Sequence, residues 1–272
     1  MMLETIDEAA KQNVIRGTPK DKSCLLGVMS RYLNLCGVDI TQPVLVVGGG
    51  QEDLEILTAC GFSRIELSNI GSNDTSLDAE DITLPDNSYS TVFAHAMLHH
   101  CRSPHKALGE MVRVASRHVF FFEPNDSWAL RSLTRYGLSF PYELTAVSAN
   151  EYVRGGLRDG PIPNYIYRWT GREAAKCIAS YHPERQFDVH AHPYWDFYVN
   201  EYELLGRKDS KVGRLAQVIG ARRFIRLLRI AQWFLNLVPP LRSQGNKFFC
   251  AIQKKDLQTW IEERSANFYL KH

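Results

Sequence analysis

The sequence predicts an α/β fold built on a mainly parallel sheet, and three observations carry that prediction. Val44-Leu45-Val46-Val47 is a short, continuous apolar run of the kind found in a strand buried on both faces. Gly48, Gly49 and Gly50 follow it at once, ahead of the helix-forming stretch QEDLEILTAC. From there strand and helix patterns alternate as far as Pro124, the order that parallel strands joined by helical crossovers require.

In chain order, apolar residues at helical spacing predict helices over about 3–15 and 22–36, the second in SCLLGVMSRYLNLCGV. The strand over 44–47 and the helix after Gly50 come next. A strand is predicted in RIEL (64–67), another in TVFAHA (91–96), a helix in SPHKALGEMVRVA (103–115), and a strand in VFFFE (119–123) that stops at Pro124. About 120 residues then separate Pro124 from the strand-like run KFFCAIQ (247–253), too many for one crossover. A last helix is expected over about 255–264. No internal repeat or low-complexity segment interrupts this order.

Composition is that of an ordinary globular protein, 44% hydrophobic and 23% charged, and the net charge of +2 gives no polyanion-binding signature. The six cysteines are scattered without a CxxC pair, several inside apolar runs, and read as reduced thiols of a cytoplasmic protein. The acidic, polar start MMLETIDEAAKQNVIRG is not that of a secretory signal, and no apolar run reaches bilayer-spanning length.

Three signals carry chemistry. The strand, glycine turn and helix start of VLVVGGGQEDLEIL place backbone N–H groups and a positive helix end at the sheet's carboxyl edge. Glycine admits a ligand where any side chain would block the backbone. Asp53 stands where a nicotinamide-binding turn would carry its third glycine, which argues against a dinucleotide oxidoreductase. Glu66, near the end of the second strand, offers two acceptors at the spacing of ribose hydroxyls. The third signal is Asp78-Ala79-Glu80-Asp81-Ile82-Thr83-Leu84-Pro85-Asp86-Asn87-Ser88-Tyr89-Ser90, leading through a strand to Leu98-His99-His100.

This last stretch, with the order and spacing of parts from Val44 to Pro124, resembles the class I S-adenosylmethionine-dependent methyltransferases of the small-molecule type. The resemblance implies a doubly wound, mainly parallel seven-stranded sheet with a helical N-terminal extension and a cap insertion. It divides the chain into that extension (1–40), a cofactor-binding core (41–124), a cap and acceptor-binding region with remaining core elements (125–245), and a final strand and helix (246–272). It implies S-adenosylmethionine as cofactor, with Gly48, Gly49 and Gly50 against the methionine part, Glu66 and Ser68 at the ribose, and Asp78 and Ala79 at the adenine. Ala94 and His95 would face the methyl-transfer centre. The sequence departs from the family pattern at Val46, Glu52 and Ser90, and only nine residues separate Ser68 from Asp78, too few for a second crossover helix. Those departures keep a non-catalytic, cofactor-binding scaffold as the alternative function.

Further along, Cys101–Leu108, Glu123-Pro124 and Pro163–Trp169 resemble a bacterial subgroup with the look of tailoring enzymes for secondary metabolites or cell-surface glycans. The expected acceptor is therefore a small or lipid- or glycan-linked metabolite, methylated on oxygen in preference to nitrogen or carbon. Tyr142, Tyr165, Tyr167 and Trp169 are expected to line its pocket. His95 is the first candidate base and His100 the second, since imidazole titrates near neutrality. No metal is expected, because adjacent histidines on a strand or turn point apart and no acid or cysteine stands at ligand spacing. Residues 213–241 interleave Arg222, Arg223, Arg226 and Arg229 with apolar residues, so this helix either packs on the sheet or touches an anionic membrane or lipid-linked substrate. No nucleic-acid recognition module accompanies these arginines.

Overall fold

The computed structural model describes residues 23–69, 77–143, 165–197 and 211–257. Its elements are α1 (Ser23–Leu35), β1 (Val44–Val47), α2 (Gln51–Ala59), β2 (Ile65–Ser68), β3 (Tyr89–His95), a 3-10 turn (Leu98–His100), α3 (Pro104–Val114) and β4 (Ala115–Pro124). After these come α4 (Trp128–Arg135), α5 (Gly171–Tyr181), β5 (Arg185–Tyr194), α6 (Lys211–Ile219), α7 (Ala221–Leu237), α8 (Pro239–Arg242) and β6 (Lys247–Leu257).

The strands form one sheet in the order β2-β1-β3-β4-β6-β5. β1 to β4 are mutually parallel, with Val47 level with Ser68 and Val46 level with Phe93. β6 runs antiparallel between β4 and β5. Both faces are covered, and the pleat sorts each strand between them. Val44 and Val46 join Phe93, Phe120, Phe122 and Phe249 under α1 and α2. Leu45 and Val47 join Val92, Phe121 and Cys250 under α3 and α5.

Most expected elements stand within a few residues of their sequence-based limits. Two expectations change. Six strands, not seven, lie in the sheet among the described residues, which agrees with the short spacing after Ser68. The final strand continues to Leu257, so the helix expected from 255 does not begin there, and 258–264 lie outside the described residues. The helix expected over 3–15 also lies outside them. α1, within the N-terminal helical extension, packs on the sheet: Leu25, Val28, Met29, Tyr32 and Leu33 are buried in the layer against it. Among the described residues no helix is long and apolar enough to cross a membrane.

Candidate active site

Because β1 to β4 are parallel, their carboxyl ends bring Gly48–Gly50, Asn69, His95–Met97 and Glu123–Asn125 to one edge of the sheet, where ligands of open α/β sheets bind. The glycine turn is shaped for close approach. Gly48 has φ of +67°, and a Cβ there would stand 2.2 Å from Met97 Cγ. Around Gly50 a Cβ would meet nothing within 4 Å, so space opens beside the helix start.

The expected N–H donors of this turn are engaged inside the protein. Gly49 N–H donates to the Ser68 carbonyl at 2.9 Å, and Gly50 N–H donates to Asp53 Oδ2 at 2.8 Å. The turn therefore offers room rather than those two donors. Asp53, one turn into α2, is buried, and its other oxygen lies 3.1 Å from His95 Nδ1. Its negative charge is thus directed inward and offset by an amide and an imidazole, while Glu52 and Glu55 face solvent. That takes the Asp53 charge away from any carboxylate ligand at the helix start. The sequence reads Asp53 as a missing glycine and as one of the acids crowded at the helix start; its spacing of three from Gly50, as in a capping box, is the signal for its inward turn.

His95 ends β3 with its side chain 16% exposed and its ring edge-to-face with Phe122 at 5.8 Å. Ala96 follows in the left-handed region at φ of +50°, a strained conformation for a residue with a Cβ, while its N–H still donates to the Phe122 carbonyl at 2.8 Å. The reversal lays Met97 across Gly48 and starts the 3-10 turn that carries both following histidines. His99 Nδ1 lies 2.6 Å from Glu123 Oε2, and Leu98 N–H donates to Glu123 Oε1 at 2.7 Å. Burial lowers the His99 pKa and the Glu123 contact raises it, leaving it above its ordinary value. His100 Nε2 lies 3.2 Å from Glu143 Oε2.

Other expected residues sit differently. Glu66 is level with Leu45 in mid-strand, exposed, and accepts the Tyr89 hydroxyl at 2.5 Å. β2 runs on to Ser68, so the residue at its tip is Asn69, whose Nδ2 lies 3.5 Å from the Gly49 carbonyl. Ser68 is buried and spends its hydroxyl on the Val46 carbonyl at 2.9 Å. Its position is set by packing, so the hydroxyl is not directed at a ribose. Ala94 is fully buried, with its side chain in the layer under α3. Asp78 is exposed and holds Glu80 N–H at 2.8 Å with one oxygen, beside a buried Ala79.

The four aromatic residues form two pairs rather than one wall. Tyr142 and Tyr165 are exposed, bridged to each other, with ring centroids 5.5 Å apart. Trp169 is fully buried against Phe121, which takes it out of direct contact with a ligand. Tyr167 turns toward the helices and donates its hydroxyl to Glu173. An open groove of about 610 Å³ lies there too, lined by Ser103, His105, Thr170, Glu173, Lys176 and Tyr181, away from the glycine turn.

A family profile described as a methyltransferase domain matches residues 23–122. No curated protein matches the chain. Among solved structures it is similar to a SAM-dependent methyltransferase from Archaeoglobus fulgidus at 16% identity, over 92% of this chain and 100% of that one, with a TM-score of 0.46. It is also similar to those from Mesorhizobium loti (10% identity, 83% and 96% covered, TM-score 0.44) and Methanosarcina mazei (12%, 84% and 98%, 0.43). The matched family span contains the glycine turn, Asn69, Asp78, His95 and the histidines of the 3-10 turn.

Proposed function

We infer that this chain, a class I S-adenosylmethionine-dependent methyltransferase, methylates an oxygen of a small or lipid-linked metabolite. The observation that carries the oxygen assignment is the Asp53–His95 pair beside the open glycine turn. A carboxylate on Nδ1 holds the imidazole in the tautomer whose Nε2 is free to take a proton, the arrangement a hydroxyl acceptor needs. The cofactor supplies a methyl group already activated by its sulfonium, so the protein's own part is positioning and proton removal.

In this reading Gly48–Gly50 lie along the methionine part, Asp78 and the Ala79 backbone along the adenine, and His95 takes the acceptor's proton. Register favours Asn69 over Glu66 for the ribose, because Asn69 is at the strand tip and the Glu66 carboxylate is occupied by Tyr89. Calorimetry with S-adenosylhomocysteine tests this, with NAD as control. Asn69→Ala should weaken binding by about 0.5–1.5 kcal/mol, the value of a neutral hydrogen bond, and Glu66→Ala should leave it unchanged. The opposite pattern would return the ribose to Glu66, and preference for NAD would end the methyltransferase reading.

A lipid-linked acceptor is supported by α7. Phe224, Ile225 and Leu228 pack against α6, yet Leu227, Ile230, Phe234 and Trp233, the last 67% exposed, face outward with Arg222, Arg223, Arg226 and Arg229. Cations beside exposed aromatic and aliphatic groups suit an anionic lipid surface. The six free cysteines agree with a cytoplasmic setting for that contact. The chain should co-sediment with anionic but not neutral phospholipid vesicles, and Trp233→Ser should release it. Absence of binding to either vesicle would leave only a soluble acceptor.

A further inference from the structure

Adjacent histidines on a strand or turn are expected to point apart, which is why the sequence argues against a metal at His99-His100. The structure puts them in a 3-10 turn and brings them together, with ring centroids 4.2 Å apart. The ring of His99 is fixed from behind. Its Nδ1 donates to Glu123 Oε2 at 2.6 Å, and Glu123 is itself fully buried and anchored on Leu98 N–H. In the neutral ring that bond leaves Nε2 of His99 with its lone pair, and a metal there would displace the proton that the Glu123 contact otherwise favours. A carboxylate behind a ligating imidazole is the usual outer support of protein metal sites.

The third group comes from far along the chain. Tyr142 bridges Tyr165, Ile166 N–H donates to the Pro141 carbonyl at 2.8 Å, and Trp169 N–H donates to the Pro124 carbonyl at 2.9 Å. These links tie the segment holding Glu143 to the end of β4, next to Glu123. Glu143 Oε2 then lies 3.2 Å from His100 Nε2, and one ligand atom from each of His99, His100 and Glu143 falls within 4.8 Å of the others. Ligands at zinc bond lengths in tetrahedral array stand about 3.3–3.5 Å apart, so a small contraction would suffice. His100 and Glu143 keep 25% and 39% side-chain exposure, which leaves an entry path. Lys247, level with Pro124 on β6, opposes a cation here, but two carboxylates, Glu123 and Glu143, outweigh its single charge.

We propose that His99, His100 and Glu143 form a site for one divalent transition-metal ion of the zinc type, with Glu123 as its outer support and a remaining position open. Two imidazoles and one carboxylate suit zinc, iron(II) or cobalt(II), whereas magnesium and calcium select all-oxygen sets. The open position lies on the edge that carries His95, so an acceptor oxygen is the class of ligand it would take; that last clause alone rests on the methyl-transfer reading.

The test uses the full chain stripped with a chelator and then titrated with zinc, with cobalt(II) absorption as a second probe of the ligand set. One zinc per chain is expected, with at least tenfold weaker binding in His100→Ala and in Glu143→Gln. Both residues are partly exposed, so these variants should fold where changes at His99 or Glu123 could fail. His105→Ala, in the separate His105–Glu173 pair, should bind zinc as the parent does. No saturable binding, or binding undiminished in both site variants, would overturn the site. Binding of S-adenosylhomocysteine to the stripped chain, measured in parallel, is independent of this outcome and separates failure of the metal site from failure of the methyltransferase reading.

Discussion

Asp53→Asn is the change that isolates what the buried carboxylate does for His95. Asp53 accepts from Gly50 N–H at 2.8 Å with one oxygen and meets His95 Nδ1 at 3.1 Å with the other. An asparagine has only one acceptor, and Gly50 N–H, a fixed donor, will claim it. The side-chain NH₂ is then turned toward His95, which can satisfy it only by presenting a bare Nδ1 and moving its proton to Nε2. A hydrogen bond to a charged partner is worth about 1.5–3 kcal/mol, so the parent should favour the Nδ1–H tautomer by roughly 10- to 100-fold and the variant should reverse it. Nitrogen-15 NMR of labelled histidine reads the tautomer directly, without any acceptor. Once an acceptor is found, the wrong tautomer should cost about 10²–10⁴ in turnover with little change in cofactor affinity. A His95 that keeps Nδ1–H in Asp53→Asn, or full turnover in that variant, would refute the assignment of His95 as base.

Three further outcomes follow from single contacts. Glu123→Ala strips a buried group of two hydrogen bonds and should cost about 3–5 kcal/mol, which at about 2–4 °C per kcal/mol lowers Tm by roughly 6–20 °C; calorimetry showing under about 3 °C would contradict the pairing with Leu98 and His99. Gly48→Ala should cost at least the left-handed penalty of about 1–2 kcal/mol plus displacement of Met97, and adding Met97→Ala should recover the second part in urea unfolding. His192 has its pKa pushed down to about 4 by burial, then by Arg242 and Arg31. The unfolded chain binds that proton from about pH 6.5, so stability should fall as pH drops from about 6.5 to 4; His192→Gln should flatten that part of the slope of unfolding midpoints against pH.

The sheet was legible because its strands are written as apolar runs, and burial on both faces leaves no other reading of VLVV or VFFFE. The glycine turn and the step at His95 were legible for a related reason: a strand end fixes where its last side chains emerge. What local pattern could not supply was register. Whether Glu66 or Asn69 occupies the tip of β2 depends on how β2 slides against β1, and the alignment of Val47 with Ser68 decides it. Trp169 and Tyr167 were misplaced likewise, because an aromatic residue in a loop reads the same whether it caps a core or lines a pocket.

Charge pairing was the least legible layer, and it dominates the candidate site. Three histidines emerge from one stretch of six residues, and each meets an acid from a different place: His95 with Asp53 on α2, His99 with Glu123 on β4, His100 with Glu143 next to Tyr142 of the Tyr142–Tyr165 bridge. Separations of 42, 24 and 43 positions carry no sequence period that a helix or strand pattern could expose. The common cause is topological. Parallel strands deliver their carboxyl ends to one edge, so acids and imidazoles from distant segments converge there with partly desolvated charge, where an unpaired carboxylate would be costly. Burial grades the three pairs: Glu123 is wholly enclosed, Asp53 is nearly so, and Glu143 remains partly open. The enclosed Glu123 can only orient its partners, whereas His95 keeps one ring edge toward the site and His100 and Glu143 remain open to a ligand, so changes at Glu123 should disturb the architecture and changes at His95, His100 or Glu143 the chemistry.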